Sequence, residues 1–283
     1  MNLSDRALLV QLSISQWTAR KYDKRVTQQA LTMNYASSDA GRFNKSLLPA
    51  NDYLDMVHAK SAAIRQDFYT NTLPWGMEGT QLLPSANYLN FMTKFRTAKA
   101  EWESVVSDFV HHYAPLKLQA KRALGNMYMD SDYPDERDIR NKFKIDMAVF
   151  PVPSTDFRTE LSSDELTRLQ DDVSSRLKQA QAVATRDVWE RLFERVEHIA
   201  RQLGNPKGRI YDSLIDHAKE LCELLPRLNL NDDPNLEAMR QEVEAKLASH
   251  HPDALRANQT LRQDTAEQAQ DIMDKMRAFM SGV

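Results

Sequence analysis

The chain of 283 residues is long enough for one large domain or two smaller ones, and its 42% apolar residues are sufficient for a buried core. Its formal net charge of -3 does not indicate a globally basic nucleic-acid-binding protein, and its 7 glycines favour helices over a turn-rich β fold. The single cysteine, Cys222, excludes an intramolecular disulfide and a zinc site built from the cysteines of one chain, which fits a reducing compartment.

The N-terminal stretch has charged and polar residues inside its apolar run, at Asp5, Arg6 and Gln11. It therefore lacks the continuous apolar core of a signal peptide. No apolar stretch of the chain approaches the ~20 residues that a membrane-spanning helix needs. We expect a cytoplasmic protein that does not insert into a membrane.

Residues up to about 156 have the pattern of a mixed domain of helices and strands. Apolar residues alternate over 7–16, which predicts a strand that ends before Trp17. Thr18 is a candidate N-cap for a helix over about 19–35, although the helix dipole disfavours its basic first turn. Apolar spacing and breaker residues predict further helices over about 52–71 (capped by Asn51 or Asp52), 85–113, 115–124 and 135–143, and further strands over 80–83 and 145–149.

The longest apolar stripe extends from Ser163 to Leu203, in a stretch that has neither glycine nor proline. Its apolar residues recur at a mean spacing of about 3.7 residues, which predicts one nearly straight α-helix rather than a left-handed supercoil. At 1.5 Å per residue such a helix would be roughly 60 Å long. Three more helices are predicted over about 207–225, 234–249 and 253–281, and their short connections favour antiparallel packing.

A change of composition within 151–161 indicates a domain boundary. Residues 1–156 carry 19 basic and 17 acidic side chains, whereas residues 157–283 carry 18 and 23. We predict a helix-dominated α+β fold in two domains. The first has helices around a small three-stranded sheet, and the second is an elongated antiparallel helical bundle.

The sequence motifs of common enzymes are missing. The chain contains no Gly-x-Gly-x-x-Gly, no Walker-type loop and no Gly-x-Ser-x-Gly. The histidines form no His-Glu-x-x-His, and the acidic segment 130–138 has Asp135 where a calcium loop needs glycine. Cys222 is interpreted as a buried structural thiol. We therefore predict no catalytic residue, no metal and no cofactor, while a hydrolase site built from scattered carboxylates and histidines stays a weaker alternative.

A cluster of basic residues directly follows a tryptophan near the N-terminus. In the functional interpretation Trp17 stacks on a base and the basic residues contact phosphates; in the alternative, the cluster is a solvated helix face and Trp17 is a core residue. Two more basic groups, at 117–122 and 137–144, would extend the cluster only if the fold brought them together. The candidate binding site for nucleic acid or a protein partner consists of Trp17, Arg20, Lys21, Lys24 and Arg25.

Residues 8–21, LLVQLSISQWTARK, resemble the start of an uncharacterised family from phages and mobile elements. That family has an apolar strand ending in Trp, followed by a small or hydroxyl residue and a basic pair. The later Phe150-Pro151-Val152-Pro153 and the helical C-terminal part are compatible with it. The resemblance implies an accessory protein in the host cytoplasm. Such families are sometimes encoded near ring ATPases of the MoxR type, von Willebrand A-type proteins or phage recombination genes, so the resemblance makes a ring ATPase one candidate partner. It supplies no catalytic residues.

Two functions follow as hypotheses. The first is a non-enzymatic, oligomeric interaction or assembly protein, because exposed apolar stripes on long helices require a partner. The second is a protein that binds or anneals single-stranded nucleic acid through its N-terminal basic and aromatic residues.

Overall fold

The computed structural model describes residues 3–156 and 162–280. The fold is helix-dominated α+β, with 67% of the described residues helical, as predicted. The helices among the described residues are α1 Lys24–Met33, α2 Asp52–Asn71, α3 Ser85–Leu124, α4 Ser163–Gly204, α5 Ser213–Leu228, α6 Pro234–Val243, α7 Pro252–Ala257 and α8 Gln259–Met280. The strands are β1 Ala7–Ser15, β2 Arg20–Tyr22, β3 Asn44–Ser46, β4 Leu73–Pro74, β5 Thr80–Pro84 and β6 Lys144–Pro151.

Four of the strands form one sheet, in the order β4-β5-β1-β6. β1 pairs antiparallel with β5, with Leu8 opposite Leu83, and β4 pairs antiparallel with β5, with Leu73 opposite Leu82. The three predicted strands are therefore confirmed as members of one sheet. The prediction of three strands was one too few, because β4 has only two residues and leaves no alternating pattern to detect.

A separate two-stranded ribbon forms from β2 and β3. The helix predicted over 19–35 is wrong in its first turn, which is the strand β2. Ala19 has a φ of 51°, a left-handed conformation that turns the chain away from a helical path after Thr18. The helix starts later because Asp23 is its N-cap and accepts the Val26 N–H at 3.0 Å.

Two prolines that were predicted to interrupt or end helices lie inside continuous ones. α3 runs through Pro115, and α5 continues past Pro226 to Leu228. A proline in a helix removes one backbone hydrogen bond, and burial of the neighbouring turns offsets that loss. The buried residues around the two prolines are Tyr113, Leu116 and Ala120 in α3 and Leu224, Leu225 and Leu228 in α5.

Three other predicted helices differ from the structure in helix type or in continuity. The one over 135–143 is a short 3-10 turn at Ile139–Lys142, and the one over 234–249 changes from α to π geometry at Glu244–Ala248. The last is divided at Asn258 into α7 and α8, and its predicted final residue, 281, lies outside the described residues.

The chain folds into two compact units, each built from separate stretches of sequence. Unit 1 comprises Met1–Gln11, Phe68–Met92 and Ala148–Val283, and unit 2 comprises Leu12–Asp67 and Thr93–Met147. Unit 1 thus takes residues from both sides of the predicted boundary segment, of which residues 157–161 lie outside the described part. Charge follows the units: unit 2 holds 18 basic and 14 acidic residues, net +4, whereas unit 1 holds 19 and 26, net -7.

The core of unit 1 is organised along α4, whose predicted extent is confirmed. Ser162 caps the helix by accepting the Glu165 N–H, and α8 packs along it. The C-terminal carbonyls of α4 are satisfied by Arg262, which is only 7% exposed and donates to the oxygens of Leu203 and Gln202 at 2.9 and 3.1 Å. The buried residues of α4 are Ala180, Ala184, Val188, Trp189, Leu192, Val196, Ile199 and Leu203.

Candidate functional site

Trp17 lies half-buried among aromatic rings of unit 2. Its ring centroid is 5.7 Å from that of Tyr113, 6.3 Å from Phe109 and 6.5 Å from Tyr133. Its carbonyl oxygen lies 3.0 Å from Nε2 of His58. These contacts hold the indole as core residues are held, and they occupy much of the ring surface that base stacking would use.

The basic members of the predicted cluster are all exposed, but they have different surroundings. Lys21 forms an ion pair with Asp132 at 2.9 Å, and Arg25 donates to the carbonyl of Asn126 at 3.0 Å. Within the described residues, Arg20 and Lys24 form no ion pair. Their two positive charges are therefore not neutralised by a carboxylate partner and face solvent.

The ribbon is anchored by a buried ionic cluster around Lys45, which is 4% exposed. Nζ of Lys45 lies 2.7 Å from Oδ2 of Asp132 and 3.3 Å from Oδ2 of Asp23, and it donates to the carbonyl of Met127 at 2.8 Å. One lysine thus joins β3, the N-cap of α1 and the loop after α3. Taking one member away would leave buried charge without its partner.

The same cluster shifts the pKa of each of its members. Burial alone would lower the pKa of Lys45, but the two carboxylates outweigh it and the pKa is raised. Burial alone would raise the pKa of Asp132, but hydrogen bonds from Lys45 and Lys21 outweigh it and the pKa is lowered. The pKa of Asp23 is lowered first by the Val26 N–H and then by Lys45. All three groups are therefore held in their charged forms at neutral pH.

The ribbon has two faces of different character, because alternate residues of a strand point to opposite sides. Lys21 is paired with Lys45 across the ribbon, and both lysines contact Asp132. Arg20 and Tyr22 are on the other face, opposite Ser46 and Asn44. The Tyr22 side chain is 46% exposed, and the guanidinium carbon of Arg42 lies 6.0 Å from its ring centroid. This outer face, formed by Arg20, Tyr22 and Arg42, is hereafter the ribbon face.

Sequence reasoning missed Tyr22 and Arg42 as site residues. The segment 19–35 was assigned to a single helix, on which Tyr22 had no distinct role. The signal that could have separated it was the aspartate at position 23, a good N-cap followed by the first real turn of α1.

The fold brings a second basic group to the loop that carries Asp132. Lys117 pairs with Asp130 at 2.9 Å, and Lys121 lies 5.9 Å from the ring centroid of Tyr128. Arg25 contacts Asn126 of the same loop. Residues 20–25 and 117–122, separate in sequence, therefore both border one loop, and Lys142 of the third basic group lines a depression of about 450 Å³ together with Trp17.

A different kind of candidate surface lies at the start of α4. None of residues 163–179 is buried, although apolar residues recur there with helical spacing. Leu169 is 37% exposed and Val183 is 41% exposed, while Leu166, Val173 and Leu177 are half-buried. The carboxylates of Glu165 and Asp172 form surface ion pairs with Arg168 and Arg176. This apolar stripe with charged flanks, residues 163–183, is hereafter the α4 stripe.

Comparison with known proteins returned no match: no family model, no curated protein and no solved structure matches the chain. The resemblance to a phage and mobile-element family stays a prediction.

The cysteine and the acidic segment, which could in principle take part in catalysis or metal binding, have the contacts of structural residues. Cys222 is buried in unit 1 with Sγ 3.8 Å from the carbonyl of Arg240, and burial raises the pKa of its thiol to about 11. Asp135 of the acidic segment accepts the Arg137 N–H at 2.9 Å, as a loop residue does. Over 3–156 and 162–280, no group of three or more His, Cys, Asp or Glu is placed to hold a metal ion. None of the helices in those ranges has an apolar window long enough to cross a bilayer.

Proposed function

We propose that this protein is a non-enzymatic assembly protein that self-associates through the α4 stripe. The observation that supports the proposal is the contrast within one helix. From Ala180 onward α4 buries a side chain on almost every turn, whereas the preceding 163–179 has the same apolar periodicity and buries none. An apolar stripe that continues beyond the buried part of a helix is typical of an interface for a protein partner.

The charges that flank the stripe favour a second copy of the chain in antiparallel orientation. On a helical wheel Glu165 and Arg176 lie on the same flank of the stripe, one near each end. A two-fold antiparallel pair of helices sets that flank against itself, so Glu165 of one copy would face Arg176 of the other. A parallel pair would instead set this flank against the opposite one, where Gln170 and Ser174 carry no charge, so Glu165 and Arg176 would gain no ionic partner.

The size of the interface sets its expected strength. A segment of 163–183 is roughly 30 Å long. Two such segments would bury on the order of 1,000 Å² in total, near the lower limit of specific interfaces. We therefore expect a dimer with a dissociation constant in the micromolar range, so that both species are present at ordinary working concentrations.

Sedimentation velocity over a wide range of protein concentrations tests the proposal. We expect a concentration-dependent dimer, and we expect Leu169→Glu combined with Val173→Glu to abolish it without lowering the thermal midpoint. Ser175→Glu combined with Ala182→Glu is the matched control, since it adds the same charge on the opposite, exposed face of α4. A chain that is monomeric at every concentration, or a control that disrupts the dimer equally, contradicts the proposal.

A charge exchange tests the orientation. Glu165→Arg alone should weaken the dimer by placing two arginines together, and Glu165→Arg combined with Arg176→Glu should restore it. If the double variant is as weak as the single one, the helices do not pair in the antiparallel arrangement.

A further inference from the structure

The ribbon face is held rigidly but its own residues are left exposed. Lys45 ties β3 to Asp132 and Asp23 beneath the ribbon, and Lys21 adds a second contact to Asp132. A three-residue strand pair without such an anchor would be marginal in water. The buried cluster thus holds the backbone of the ribbon in place, and its ion pairs do not involve the side chains of Arg20 and Tyr22.

We infer that the ribbon face binds single-stranded nucleic acid, with the Tyr22 ring stacking on an unpaired base and the guanidinium groups of Arg20 and Arg42 contacting phosphates. The inference is independent of the proposed self-association, because it rests on residues of unit 2.

The chemistry of the three side chains supports this ligand. An exposed aromatic ring offers a platform to any base, and stacking of this kind requires a base that is not paired. Arg20 is two residues from Tyr22 along an extended strand, a separation of about 7 Å. Arg42 lies over the same ring, so a second positive charge is present beside the platform.

The charge around the ribbon face also favours a polyanion. The stretch between Tyr22 and Asn44 contains one buried acidic residue, Asp23, which is paired with Lys45, and one exposed acidic residue, Asp39. The exposed Lys24 and Arg25 follow the ribbon directly. Unit 2 as a whole has a net charge of +4 in a chain whose net charge is -3. A local positive surface on an acidic protein concentrates phosphates at one place rather than over the whole molecule.

Unit 1 provides a matched control. Tyr211 is 56% exposed and the guanidinium carbon of Arg209 lies 5.1 Å from its ring centroid, so the local pair resembles that of Tyr22 and Arg42. It belongs to the unit with a net charge of -7. If any exposed tyrosine beside an arginine sufficed for binding, the two pairs would behave alike.

Fluorescence anisotropy with a labelled oligothymidylate tests the inference on the full chain. Tyr22→Ala should weaken binding about tenfold and Tyr22→Phe should retain it, because the ring face and not the hydroxyl makes the contact. Arg20→Ala and Arg42→Ala should each lower the slope of log affinity against log salt by about 0.7. Tyr211→Ala should leave the affinity unchanged, and circular dichroism should show the same thermal midpoint for every variant.

Several outcomes overturn the inference. The first is no binding of the oligonucleotide at low salt, and the second is an equal loss of affinity from Tyr22→Ala and Tyr211→Ala. The third is that a duplex of the same sequence binds as tightly as the single strand, and the fourth is that polyglutamate binds as tightly as the oligonucleotide. The last would identify a surface for acidic proteins. The Leu169→Glu and Val173→Glu double variant should keep the same salt slope, so failure of one proposal is distinguishable from failure of the other.

Discussion

In unit 1 the buried contacts along α4 are apolar, whereas in unit 2 a buried lysine and its two aspartate partners lie beside a cluster of aromatic rings. In unit 1 the buried side chain of Arg262 satisfies the backbone at the end of a helix. In unit 2 the buried side chain of Lys45 joins three segments that are distant in sequence. Unit 1 is thus stabilised by periodic packing, which is non-directional, and the ribbon of unit 2 by directional ionic contacts.

The sharpest test of apolar packing compares two leucines of the same helix. Leu192 is fully buried and Leu169 is 37% exposed. We expect Leu192→Ala to lower the free energy of unfolding by about 3 to 4 kcal/mol, since it leaves a cavity, and Leu169→Ala by less than about 0.5 kcal/mol. Urea denaturation at a concentration where the chain is monomeric measures both. Equal effects of the two substitutions would mean that the α4 stripe is covered within the chain.

Replacement of the buried lysine tests whether the ionic cluster stabilises unit 2. Lys45→Met should destabilise the protein by about 2 to 3 kcal/mol, because it leaves Asp23 and Asp132 buried without their main partner. Urea denaturation measures the loss. Adding Asp132→Asn to Lys45→Met should recover part of it, as removal of the second charge relieves the repulsion. An undiminished loss in the double variant would show that Lys45 acts through its packing and not its charge.

The dependence of stability on pH is the smallest of the three expected effects. The folded-state pKa values of Asp23 and Asp132 are lowered, so their contribution is present above the unfolded value near 4 and is lost as the pH falls through the folded values. The pKa of Lys45 is raised, so its contribution is lost only as the pH rises above the unfolded value near 10.4. The urea concentration at the unfolding midpoint should therefore decrease as the pH is lowered below about 4. In Asp132→Asn this midpoint should decrease less steeply over the same pH range. If the unmodified protein and Asp132→Asn lose stability equally in acid, Asp132 is excluded as a source of the acid sensitivity.

The sequence predicted the longest helix of unit 1 well and the candidate site of unit 2 less well. The apolar stripe of α4 and its capping serine were sufficient to place that helix, because both signals lie within the helix itself. In contrast, the ribbon was assigned to a helix, and Tyr22 and Arg42 were not recognised, because β2 is defined by its pairing with residues more than 20 positions away.

By itself the sequence determined the helix-dominated class, the extent of the longest helix and the strands that alternate, since period and capping are properties of neighbouring residues. Only the tertiary structure decided which half of α4 is covered, which lysine is buried and which aromatic ring is exposed. Those properties depend on long-range contacts, such as Lys45 with Asp132, whose partners no local pattern identifies. Both proposed surfaces consist of residues whose exposure only the packing of the rest of the chain could set.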